Sequence, residues 1–122
     1  MGGKVTYEKQ VTPAFLTGDL SALITVVAPA SNTKGVRVMA AGVWINTNTH
    51  TARVMWKSSS PASALDAAAG TLAVSAGFTG GPLRALMQSV ALPCLLPPGI
   101  GIYAQSNGVD AAQGYFVDHE VI

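Results

Sequence analysis

The sequence predicts an all-β fold, an antiparallel β-sandwich or jelly-roll-like arrangement of about eight short strands. Three observations carry that expectation. Proline and glycine recur from Pro13 to Gly114 and cut the chain into pieces too short for ordinary helices. Most of the pieces are rich in β-branched residues or alternate apolar and polar side chains with the two-residue period of a half-buried strand. Turn-forming clusters separate them at roughly 10–15 residues, the rhythm of sandwiches and barrels.

Taken in order, residues 4–11 set Val5, Tyr7 and Val11 against Thr6, Glu8 and Gln10, the pattern of an edge strand or of an arm contacting a neighbour. Residues 22–28 form a β-branched run that stops at Pro29. The run 36–47 is apolar on both faces, with Val36, Val38, Ala40 and Trp44 opposed to Met39, Ala41, Val43 and Ile45, so it is expected to be covered on both sides. Residues 52–58 alternate, with Ala52, Val54 and Trp56 inward and Arg53, Met55 and Lys57 outward. The polar turn from Asn46 to Thr51 then joins these two segments as a hairpin.

Residues 60–69 are the one helix candidate, with Ser60 as cap and Pro61 in the first turn, and they allow one or two turns at most. A short strand over 71–76 and a glycine-rich loop from Gly77 to Pro82 follow. Segment 83–92 fits either period, and strand is favoured. Pro97-Pro98-Gly99 opens a strand with Ile100, Ile102 and Ala104 on one face and Tyr103 and Gln105 on the other. A turn at Ser106–Gly108 leads to a last strand over 112–121. With no repeat and no linker, residues 1–122 read as a single domain.

Only 11% of the residues are charged, against about 25% in typical soluble domains. With 49% apolar residues and a mean hydropathy of +0.39, part of the apolar surface is expected to meet neighbouring chains. A closed homo-oligomer follows, with a trimer as first expectation. The seven basic residues, Lys4, Lys9, Lys34, Arg37, Arg53, Lys57 and Arg84, are scattered and build no phosphate-binding stripe, so no nucleic-acid partner is expected. No run approaches the 18 apolar residues of a membrane span, and the first residues lack the apolar core of a signal peptide. Cys94 is the sole cysteine, which precludes an intrachain disulfide and suits synthesis in a reducing cytoplasm.

No catalytic residue, cofactor site or metal site is predicted. Cys94, His50 and His119 are too few and too far apart for zinc. Cys94, among leucines, reads as a small hydrophobe. Asp118-His119-Glu120 is the densest polar cluster, but on a strand the two acids face one way and His119 the other. A solvated or interface-facing strand end is the favoured reading there, against a calcium site that adds Asp110. The serines have no nucleophile elbow, and Gly99-Ile100-Gly101 opens a strand instead of a phosphate-binding helix. Trp44, Trp56, Tyr103 and Tyr115 are the residues of a possible sugar-stacking platform, although their alternation favours the core for both tryptophans. Seven interface candidates are nominated by position: Lys4, Tyr7, Lys9, His50, Asp118, Glu120 and Ile122.

Two segments carry a family resemblance. They are Val26-Val27-Ala28-Pro29-Ala30-Ser31-Asn32-Thr33-Lys34-Gly35-Val36-Arg37-Val38 and Leu96-Pro97-Pro98-Gly99-Ile100-Gly101-Ile102-Tyr103-Ala104-Gln105-Ser106, about a fifth of the chain. In them the chain resembles small β-sandwich structural proteins of tailed bacteriophages. The resemblance implies a virion component, of the capsid-decoration or cement type or associated with the tail or baseplate. It further implies contacts with capsid or tail subunits and no catalytic residues. A decoration protein that stabilises the capsid is the leading expectation; a tail or baseplate module recognising host-surface glycans is the alternative.

Overall fold

The computed structural model describes residues 19–45, 50–76, 87–88, 92–109 and 113–122. Their strands are β1 (Ile24–Val27), β2 (Val36–Trp44), β3 (Thr51–Lys57), β4 (Gly70–Ala76), β5 (Met87–Gln88), β6 (Cys94–Leu96), β7 (Gly101–Ser106) and β8 (Gly114–Val121). They form two antiparallel sheets, a larger one in the order β1-β7-β3-β4-β5 and a smaller one in the order β6-β2-β8. The chain passes from one sheet to the other at most of its connections, as in a jelly roll, and departs from that pattern in the β3-β4-β5 meander.

The all-β prediction therefore holds. The proposed strand at 4–11 and most of the one at 83–92 lie outside the described residues.

The core lies between the sheets. Val36, Val38, Ala41, Val43 and Ile45 face Ala52, Val54, Leu72, Ala73, Ile102 and Ala104, with Val27, Leu96 and Val117 closing the sides. The two-faced assignment of 36–47 needs correction. The pairing of Val38 with His119 is followed by that of Ala40 with Asp118, so Met39 is an extra residue, a β-bulge. A bulge reverses the alternation. It places Val36 and Val38 before it, and Ala41, Val43 and Ile45 after it, all on the core side. The outer face of this strand is therefore made by Arg37, Met39, Ala40, Gly42 and Trp44, not by either alternating set.

The hairpin between 36–47 and 52–58 is corrected too, because β2 pairs with β6 and β8 while β3 pairs with β4 and β7. Their connection crosses from one sheet to the other, which lets both strands bury their apolar faces against each other.

Residues 60–69 form successive turns and no helix. The Asp66 side chain accepts the Ala62 and Ala68 amides at 2.8 and 2.9 Å and pairs with Lys57 Nζ at 2.8 Å. These bonds compete with helical ones, as short acidic side chains commonly do. The guanidinium of Arg53 donates to the carbonyls of Ala64, Asp66 and Ala69 at 3.0–3.2 Å and to Thr71 Oγ1, and so fastens this loop to the outer face of the larger sheet. Met55 was predicted to point outward; it does lie outside the intersheet core, but it is fully buried. Its cross-strand neighbour Tyr103 is only 1% exposed.

Each end of the sandwich has a buried amide clasp. At one end Asn32, after a 3-10 turn at Pro29–Ser31, donates to the Pro97 and Ile100 carbonyls at 2.8 and 3.0 Å and accepts the Gly35 amide at 2.7 Å. At the other, Gln113 accepts the Leu20 amide at 2.8 Å and donates to Ser106 Oγ and the Gly108 carbonyl. Full satisfaction of a buried amide fixes loops that have little apolar surface of their own.

Candidate interaction surface

The outer face of the smaller sheet is built across three strands. Leu95 on β6, Arg37 on β2 and Glu120 on β8 form one row, because Arg37 is registered with both neighbours. Arg37 Nη1 meets Glu120 Oε1 at 2.7 Å, an ion pair open to solvent. Beside it, Gly35 takes φ +122°, a conformation that suits glycine, and its carbonyl accepts the Ile122 amide at 2.9 Å. A Cβ on Gly35 would lie 3.5 Å from Leu95 Cδ1 and 3.6 Å from Ile122 Cδ1, so these two side chains flank the glycine. Leu95 is 61% exposed and Ile122 46%, and Met39 is also exposed, while Val121, opposite the core residue Val36, is exposed at the inner edge of the sheet. The result is a small apolar rim around one exposed ion pair.

Further along β8, Asp118 sits opposite Ala40, and its Oδ1 is buried without a hydrogen-bond partner among the described residues. His119 faces the core, as alternation predicts, opposite Val38 and with Nδ1 3.2 Å from the Val117 carbonyl. Burial pushes the imidazole below its ordinary pKa, while the Val117 carbonyl and the Asp118 charge pull it partly back. Burial likewise raises the Cys94 thiol, which packs against the core as a small hydrophobe. Glu120 is engaged by Arg37, Asp110 lies outside the described residues, and no group of three His, Cys, Asp or Glu is placed to hold a metal among the described residues.

Trp56 packs against the core as expected, whereas Trp44, also expected there, lies on the outer side of β2 because the bulge reverses the alternation. A Cβ on Gly70 would fall 2.0 Å from the Trp56 indole, and one on Gly114 would fall 2.0 Å from that of Trp44. Each tryptophan thus lies across the glycine opposite it in the neighbouring strand. Tyr103 is buried, and Tyr115 packs against the core.

Of the interface candidates, Asp118, Glu120 and Ile122 come together on or beside this face. His50 lies at the opposite end of the sandwich, half-buried over Gly108, and is not the exposed turn residue expected. Lys4, Tyr7 and Lys9 fall outside the described residues. Sequence reading missed Arg37 and Leu95 as surface residues, and assigned Met39 outward together with Ala41, Val43 and Ile45, which the structure buries. Leu95 belongs to a three-residue strand inside Leu-Pro-Cys-Leu-Leu-Pro-Pro, too short to show a period, and Met39 is outside because of the bulge.

No family model, curated protein or solved structure matches this chain.

Proposed function

We propose that the protein is a non-catalytic structural subunit acting through protein–protein contacts, a bacteriophage virion component of the capsid-decoration type. The observation that carries the reading is the outer face of the smaller sheet, where Leu95, Met39 and Ile122 stand exposed around the Arg37–Glu120 pair. Exposed apolar side chains grouped around one charged pair fit an interface patch. Low overall charge supports the same reading. The phage-like segments add to it, since they fold into one corner through the β1–β7 pairing and the Asn32 clasp.

Light scattering on the purified protein tests the assembly reading. The expected result is a homo-oligomer, a trimer in the first instance, that the double substitution Leu95→Lys and Ile122→Lys converts to a folded monomer. A monomer at every concentration, with the substitutions indifferent, overturns it. Co-migration of the chain with intact phage particles on a density gradient tests the virion assignment, and exclusive recovery from the soluble fraction refutes it.

A further inference from the structure

We propose that the free edge of β8 is a docking site for the chain's own N-terminal segment, residues 4–11, which adds to it as a strand. Among the described residues β8 pairs with β2 on one side and has no strand on the other. Among the described residues its eight make it the longest sheet edge; β1, β6 and β5, at the other edges, have four, three and two. Long edges in native proteins are blocked by proline or lysine, or else covered. Gly114–Val121 contains neither proline nor lysine, and its acids are Asp118 and Glu120. Arg37 engages Glu120, which leaves Asp118, with its unpartnered Oδ1, as the charge that a strand along this edge would meet.

The chain's own path points to the occupant. Leu20 is held by its amide to Gln113 Oε1 and by its carbonyl to the Ser106 amide, both at 2.8 Å, and Gln113 directly precedes the first residue of β8. Leu20, at the start of the described chain, therefore lies beside the start of the open edge. The stretch between Val11 and Leu20 spans up to about 30 Å when extended, enough to let 4–11 lie along an eight-residue strand of its own or a neighbouring copy. The segment Lys-Val-Thr-Tyr-Glu-Lys-Gln-Val alternates as a strand and carries Lys4 and Lys9 against a single acid, Glu8. That charge complements β8. Pairing of β8 with a second β8 would instead bring Asp118 and Glu120 close to their own copies, which like-charge repulsion disfavours. Backbone pairing supplies the affinity, and lysine meeting Asp118 supplies the selectivity.

Hydrogen exchange over 114–121 tests the dock, using the full chain, a chain lacking residues 2–11, and that shortened chain with a synthetic peptide of residues 1–12. Amides of β8 are expected to exchange at least about tenfold faster in the shortened chain, to regain protection with the peptide, and to regain less when the peptide carries Lys4→Glu and Lys9→Glu. Equal exchange in the full and shortened chains overturns the proposal. Should the shortened chain fail to fold, the full-length Val5→Pro/Tyr7→Pro protein makes the same comparison, because proline removes the pairing amides. Light scattering on the same samples separates this inference from the assembly reading. Loss of the oligomer on truncation places the strand on a neighbouring copy, whereas β8 protection in a monomer keeps the dock and removes the assembly.

Discussion

The two sheets treat their outer faces in opposite ways. On the larger sheet a guanidinium, an ammonium and a carboxylate, from Arg53, Lys57 and Asp66, fasten the chain's own 58–69 loop in place, and Met55 and Tyr103 on that face are buried. On the smaller sheet the one ion pair stands in solvent and the apolar side chains around it are uncovered. The same residue types do different work on the two faces. Partly buried, saturated charge closes one face from within, and exposed, singly paired charge leaves the other available.

Arg53→Met is the strongest way to break that contrast. It strips donors from three carbonyls and from Thr71 Oγ1, and since hydrogen bonds to charged groups are worth about 1.5–3 kcal/mol, a loss of about 3 kcal/mol is expected after allowing for partial solvent access. Urea unfolding measures it. A loss no larger than that of Arg37→Met would erase the distinction between the faces.

The tryptophan–glycine pairs sharpen the comparison. Trp56 packs against the core between the sheets, while Trp44 lies on the outer side of β2. Gly70→Ala and Gly114→Ala each drive a methyl group into an indole, and overpacking of this kind costs about 1–3 kcal/mol. Gly70→Ala is expected at the upper end because Trp56 packs against the intersheet core, and Gly114→Ala at the lower because Trp44 lies outside it. Combination with Trp56→Leu should relieve most of the Gly70→Ala cost in a double-mutant cycle. Equal costs at the two glycines would mean that the outer face of the smaller sheet is as closed as the core.

The sequence makes the strands legible and leaves much of the surface hidden, for identifiable reasons. Alternation and β-branched runs locate β1, β2, β3, β4, β7 and β8 to within a few residues, because each has a core to face. Partner choice was not legible: the short connection after β2 suggested a hairpin, whereas β2 pairs with segments about 56 to 85 positions away. One inserted residue, Met39, reversed the parity of half a strand, and no local signal marks it. The Asp66 and Arg53 bonds that turn 60–69 away from helix depend on residues brought together by the fold. Of the candidate surface, the end at Asp118, Glu120 and Ile122 was readable from its polarity and position, while Leu95 and Arg37 were not.

Acid titration separates the core side of the smaller sheet from the outer face of the larger one. The folded state holds the His119 imidazole below its unfolded value of 6.5, so the unfolded chain takes up the proton first as pH falls. The stability linked to His119 is therefore complete above about pH 6.5 and declines below it. His119→Leu should flatten the unfolding midpoint between pH 7 and 5. Asp66 works in a lower window. Its bonds to Lys57 and to the Ala62 and Ala68 amides hold the carboxyl well below 3.8, so its contribution is present above that value and lost as pH drops beneath it. Asp66→Asn should remove the second decline and leave the first. If His119→Leu keeps the full slope between pH 7 and 5, the imidazole is not the buried group that sets it.

The smallest expected effect on stability belongs to the exposed pair. Arg37→Met and Glu120→Gln should each shift the folding free energy by under about 0.5 kcal/mol, since surface ion pairs at this level of exposure contribute little and salt screens them. Their effect on association should be much larger, because a charged pair that a partner covers loses its solvent, and removal of one member leaves the other buried alone. Sedimentation of Arg37→Met at low and high salt separates these roles. Intact folding with weakened self-association assigns the pair to an interface, whereas folding and association that fall together would make it part of the sandwich, no different in kind from Arg53.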